Sequence, residues 1–149
     1  MLVGYNKKNY TKFSDDEKAQ VIVYLDILSE LKEFSYLKKF DYERVKFYWH
    51  HKMNVDNGIL GAFSMLHPNT IFLMYCPSVI DILMSTITHE LLHMYQFKYK
   101  YTPLVYILLQ LPIIRNFIIE PEADKITELT DLKMVDISRK IRITKSKGI

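Results

Sequence analysis

From Ser78 to Lys98 the chain runs without a glycine or a proline, and Ile80, Met84, Ile87, Leu91 and Met94 recur along it at intervals of three and four. Side chains so spaced share one face of an α-helix. A helix of that length must bury its apolar stripe, so the segment predicts the central element of a hydrophobic core. Ser78, followed three residues later by Asp81, has the pattern of an N-terminal capping box and marks the expected start.

The other elements follow from the same kind of reading. Ser14-Asp15-Asp16-Glu17 is a second capping-box pattern, and Val21, Leu25, Leu28 and Leu31 continue at helical spacing, which predicts a first helix from about 15 to 36. Val45 to His50 is β-branched and aromatic and leads into the polar turn Asn54 to Gly58, so it reads as a strand. Ile59 to Leu66 and Thr70 to Tyr75 read as two more strands around His67-Pro68-Asn69. Pro121 suits the first turn of a last helix carried through Glu122, Ile126, Leu129 and Leu132 to about Val135. The expected class is α+β, with a small, mainly antiparallel sheet of about three strands.

With 149 residues, 49% hydrophobic and 25% charged, the chain has the balance of one ordinary globular domain. A lone cysteine, Cys76, excludes an internal disulfide and any Cys-x-x-Cys metal ribbon, and reads as a packed side chain. Gly4, Gly58, Gly61 and Gly148 cannot form either common glycine-rich phosphate loop. Arg139, Lys140, Arg142, Lys145 and Lys147 fall within residues 139–149, which hold no acid; the remaining 15 bases face 17 acids. We therefore expect a domain over 1–138 and a basic tail over 139–149, solvated or in contact with a polyanion or a partner protein. The first residues lack the apolar run of a secretory signal, which predicts a cytoplasmic protein. Pro103 to Ile119 is the most apolar stretch, yet Gln110, Pro112, Arg115 and Asn116 interrupt it well short of the ~20 residues a spanning helix needs. It reads as buried core, with association at a membrane surface as the alternative.

The central helix carries Thr88-His89-Glu90-Leu91-Leu92-His93, an HExxH motif. Residues four apart stand one turn above the other, so His89 and His93 can offer imidazole nitrogens to one metal ion. Glu90 lies about 100° round the helix, where it flanks that ion and can take a proton from a bound water. A catalytic zinc takes three protein ligands. Glu120 and Asp124, four apart, share a helical face, so Glu120 can be the third ligand while Asp124 accepts a hydrogen bond from a ligating histidine.

HExxH followed by Glu-x-x-x-Asp on a second helix resembles the gluzincin branch of zinc metallopeptidases, including its small single-domain members. Gly61-Ala62-Phe63 and Asn69 to Leu73 are similar to the strands before the zinc helix in short zincin domains. The resemblance covers about residues 45 to 135. It implies a compact zincin-like fold, Zn2+ held by His89, His93 and Glu120, Glu90 as general base, Asp124 behind the ligands, and a peptide or protein substrate lying along the last strand before the helix. It also implies a tyrosine or histidine at the oxyanion, for which Tyr95, Tyr99, Tyr101, Tyr106, His50, His51 and His67 are all candidates. Pro121 biases Glu120 away from helical conformation, which leaves Glu122 as the alternative third ligand. The expected function is a zinc-dependent peptidase, the alternative a zinc-binding regulatory or interaction module without significant hydrolysis.

Overall fold

The computed structural model describes residues 9–53 and 60–146. The expected turn Asn54 to Gly58, the expected strand start at Ile59, and Lys147 in the basic tail lie outside the described residues. The chain order is β1 (Tyr10–Lys12), α1 (Asp15–Ser29), a 3-10 segment (Lys32–Lys39), β2 (Lys46–His50), β3 (Gly61–Phe63), β4 (Thr70–Met74), α2 (Ile80–Tyr95), α3 (Pro103–Leu109), a single turn α4 (Pro112–Ile114) and α5 (Glu120–Ser146). The class is mixed α+β.

The sheet has four strands among the described residues, not about three, in the order β1-β2-β4-β3. The strand absent from the sequence reading, β1, is a three-residue edge that pairs antiparallel with β2, Thr11 opposite Trp49. Both outer pairings are antiparallel, but β2 and β4 run parallel at the centre, Phe47 opposite Ile71 and Trp49 opposite Leu73. Alternation then decides the faces. Phe47, Trp49, Ile71 and Leu73 turn to the helices and the main core. Tyr48 and Phe72 turn the other way and build a small second cluster with Met53 and Ala62.

The Ser14 capping box forms in full: Ser14 Oγ accepts from the Glu17 amide at 3.1 Å and Glu17 Oε1 from the Ser14 amide at 2.8 Å. Val21, Leu25 and Leu28 are fully buried as their spacing requires. The helix stops at Ser29 rather than 36. Ser29 Oγ bonds the Asp26 carbonyl at 2.7 Å and Leu31 is extended, so the chain restarts as a 3-10 segment that buries Phe34, Tyr36 and Leu37. At the second box the expectation fails. Pro77–Val79 form a 3-10 turn, which carries Ser78 past the extended cap conformation, and α2 starts at Ile80 without a side-chain cap. Cys76, just before that turn, is partly buried against the core.

The α2 stripe is buried as expected, with Ile80, Met84, Ile87, Leu91 and Met94 all at 1% exposure or less. Its partner is α5, which runs to Ser146 instead of ending near Val135 and so takes the basic residues Arg139 and Lys140 into the helix. The buried face of α5 is Ala123, Ile126, Thr130, Met134 and Ile137; Leu132 of the expected stripe is exposed. Pro103 to Ile119 is not buried core: apart from Tyr106 and Ile119, its described side chains are exposed or half-buried. Among the described residues no helix is long and apolar enough to cross a membrane.

Candidate metal centre

Two widened turns bring the site together. α2 passes directly into a π-turn over Gln96–Lys100, whose closing amide, Tyr101, bonds the Gln96 carbonyl at 2.9 Å. A second π-turn, Arg115–Ile119, leads into α5, and the Glu120 amide bonds the Arg115 carbonyl. Pro121 has no amide to donate back along the helix, so the widened turn falls where the regular ladder is already broken. Glu120 is helical all the same (φ −70°, ψ −40°) and its carboxylate faces α2.

His89, His93 and Glu120 form the one His/Cys/Asp/Glu group among the described residues whose ligand atoms converge as a metal requires. The two Nε2 atoms are 3.1 Å apart, and the Glu120 carboxylate oxygens lie 3.6 Å from His89 Nε2 and 3.4 Å from His93 Nε2. A tetrahedral ion with bonds of about 2.0 to 2.1 Å separates its ligand atoms by about 3.3 to 3.4 Å. The spacing therefore fits a zinc-sized ion with an N, N, O donor set.

The other ring nitrogens decide what the Nε2 atoms offer. His93 Nδ1 lies 2.9 Å from Gln96 Oε1, an acceptor whose own amide nitrogen is turned to the Ile119 carbonyl. His89 Nδ1 lies 2.8 Å from Thr127 Oγ1, and that hydroxyl donates to the Ala123 carbonyl at 3.1 Å. Both partners receive a proton from Nδ1, which assigns lone pairs to both Nε2 atoms. Two lone pairs and a carboxylate then face one another with no donor between them. Such an arrangement is stable only around a cation, a proton or a metal ion.

The electrostatics agree. Burial lowers the affinity of His93 for a proton, but the Glu120 carboxylate, Glu90 and Gln96 Oε1 outweigh it, and the ring is more basic than usual. Glu120 is held far below the usual carboxylate range by hydrogen bonding from His89 and His93 and, past the opposing effect of burial, by Arg115. Arg115 Nε and Nη2 both reach Glu120 Oε1, at 2.9 and 2.8 Å. Glu90 is pushed up by burial, with the two histidines pulling against it. It lines a cavity of about 400 Å3 with His89, Arg115 and strand β3. β3 comes so close that a side chain on Gly61 would meet Thr86 Cγ2 at 2.5 Å and Glu90 Cγ at 3.3 Å. A second cavity, about 520 Å3, opens beside His93 and shares Phe63 and Arg115 with the first. Together they make one cleft across the histidines.

Glu122, the alternative third ligand, is not part of the cluster: it pairs with Lys100 and lines a separate hollow with Tyr36 and Tyr95. Asp124 does not hold a histidine as expected. Its Oδ1 is 3.9 Å from His89 Nδ1, outside hydrogen-bond range, because Thr127, one turn on, occupies that nitrogen. Thr127, Gln96 and Arg115 were missed by sequence reasoning. Only Arg115 carried a signal, as the lone base in an apolar stretch. Of the oxyanion candidates, Tyr106 is the tyrosine lining the cavity beside His93; burial pushes its hydroxyl up to about 12. Comparison with protein-family models, with curated proteins and with solved structures gives no match for this chain.

Proposed function

We propose that the chain is a zinc-dependent peptidase of compact zincin-like type. The observation that carries this reading is the convergence of two Nε2 lone pairs and a carboxylate at 3.1 to 3.6 Å, with each Nδ1 already committed to Gln96 or Thr127. His89, His93 and Glu120 would hold Zn2+. The ion would supply Lewis acidity, lowering the pKa of a water and polarising a carbonyl.

The chain's own residues would do the rest. Glu90, with a carboxyl made more basic by burial, suits the base that takes a proton in the cleft and returns it to a leaving amine. Arg115 and Tyr106 face the same space and offer donors to a developing oxyanion. A peptide strand laid along Gly61–Phe63 would cross both cavities, in keeping with the resemblance to short zincins. The lone cysteine fits a reducing, cytoplasmic setting.

The test is elemental analysis of protein purified without chelators, beside cleavage of an unstructured protein substrate by the wild type and Glu90→Gln. We expect about one zinc per chain in both proteins, with hydrolysis only in the wild type. A well-folded product that neither contains nor binds zinc ends the proposal. Zinc without any cleavage by the wild type selects the binding module.

A further inference from the structure

From Leu91 to Ile119 the chain has no aspartate or glutamate, while it carries Lys98, Lys100 and Arg115. The structure turns the apolar centre of this span outwards: Leu104 is 69%, Ile113 74% and Phe117 78% exposed, and Leu108 and Leu111 are more than half exposed. The exposure goes round α3 instead of along one side, for Leu104, Val105, Ile107 and Leu108 are all exposed and Tyr106 is its one buried residue among those described. A helix that docks in a protein groove needs one apolar face; a helix apolar all round is solvated by hydrocarbon. At the base of the protrusion the sequence alternates Lys98-Tyr99-Lys100-Tyr101. Tyr99 is half exposed, and Lys98 is bonded to the neutral amide of Asn69 and so keeps an uncompensated charge. Tyrosine and lysine bordering an apolar tip is the composition that settles at a headgroup layer.

We propose that the segment from α3 to the second π-turn is a lipid-surface anchor that inserts shallowly into one leaflet, with a preference for anionic headgroups. No part of it can span: no described helix has the length and apolarity to cross a bilayer. The segment joins the His93 helix to Glu120, so an inserted tip would hold the cleft beside the membrane. The inference stands on exposure, charge and composition, and is independent of the metal reading.

Co-sedimentation with vesicles of phosphatidylcholine, with and without phosphatidylserine, tests it. We expect the wild type to sediment with both and several-fold more with the anionic vesicles. The variant Leu108→Gln/Ile113→Gln/Phe117→Gln should lose at least about tenfold in binding while keeping its circular dichroism spectrum and zinc content. Phe117→Trp gives a second readout beside the buried Trp49: its emission should shift to the blue when vesicles are added. A wild type that stays in the supernatant, a triple variant that sediments equally well, or a Phe117→Trp variant whose emission does not move would each overturn the proposal. So would a dimer that light scattering detects and the triple variant abolishes without any vesicle binding, since a second copy would then cover the tip.

Discussion

Thr127 Oγ1 lies 2.8 Å from His89 Nδ1, while Asp124 Oδ1, one helical turn earlier, stands at 3.9 Å. The residue that orients the histidine is therefore a hydroxyl. A neutral partner fixes the ring and the tautomer but adds less negative charge behind it than a carboxylate would. Thr127→Val should lower zinc affinity by roughly 10- to 100-fold, the usual effect of removing such a partner, and Asp124→Asn should change it little. Competition with a fluorescent chelator measures both. The opposite order would mean that the Asp124 side chain swings in when metal binds.

Glu120 and Glu122 separate in the same assay. Glu120→Gln removes the anionic ligand and should cost more than the roughly 10- to 100-fold of an outer partner. Glu122→Gln should leave zinc binding unchanged, because that carboxylate is paired with Lys100 away from the histidines. Weakened zinc binding in the Glu122 variant would reopen the choice between them.

Gly61 is required by the closeness of β3 to α2. A methyl group there would meet Thr86 Cγ2 at 2.5 Å, and a β-branched side chain in a helix has no free rotamer to retreat into. Gly61→Ala should destabilise the fold by about 1 to 3 kcal/mol, as overpacking does. Thr86→Ser removes the offending methyl and should recover most of that loss in the double variant, read from urea unfolding midpoints.

The Ser14 box has a pH signature. Burial pushes the Glu17 carboxyl up, but hydrogen bonds from the Ser14 amide, Trp49 Nε1 and Ser14 Oγ pull it further down, so its folded-state pKa lies below the ordinary 4.5. A depressed carboxylate stabilises the fold above its unfolded pKa, and the contribution disappears as pH falls through the folded value. Glu17→Gln should cost about 0.5 kcal/mol near neutral pH and nothing in acid. Urea unfolding of both proteins at about pH 6 and about pH 3 checks this, and a cost that stays constant would show that the charge is irrelevant. Ser14→Ala should cost about 1 kcal/mol through the lost cap.

The parts of the molecule legible in the sequence are those set by neighbours a few residues away. His89 and His93 share a face because one turn of helix separates them, and the α2 stripe was readable for the same reason. The Ser14 box is local too. What escaped depends on distant partners. β1 has three residues and no periodicity to detect; its existence rests on pairing with β2, some 40 residues on. The buried face of α5 includes Ala123 and Thr130, so hydrophobicity pointed instead to Leu132, which faces solvent. Thr127 and Gln96 are ordinary residues until the fold sets them beside a ring nitrogen. Pro103 to Ile119 misled because an apolar run has the same spelling whether protein surrounds it or not.

The packing of α2 on α5 includes a polar pair, Thr88 and Thr130, whose hydroxyl oxygens are 2.7 Å apart and fully buried, while Tyr36 donates to the Thr88 carbonyl at 2.8 Å. Apolar side chains tolerate sliding; directional bonds do not. Along α5, Glu120, Thr127 and Thr130 each meet a fixed mate on α2, so a slip of one residue, about 1.5 Å, would break all three engagements at once. The threonine pair thus works as an alignment pin: it makes the axial register of two greasy helices single-valued, and by doing so fixes the reach of Glu120 to the histidines about 15 Å away along the same helix.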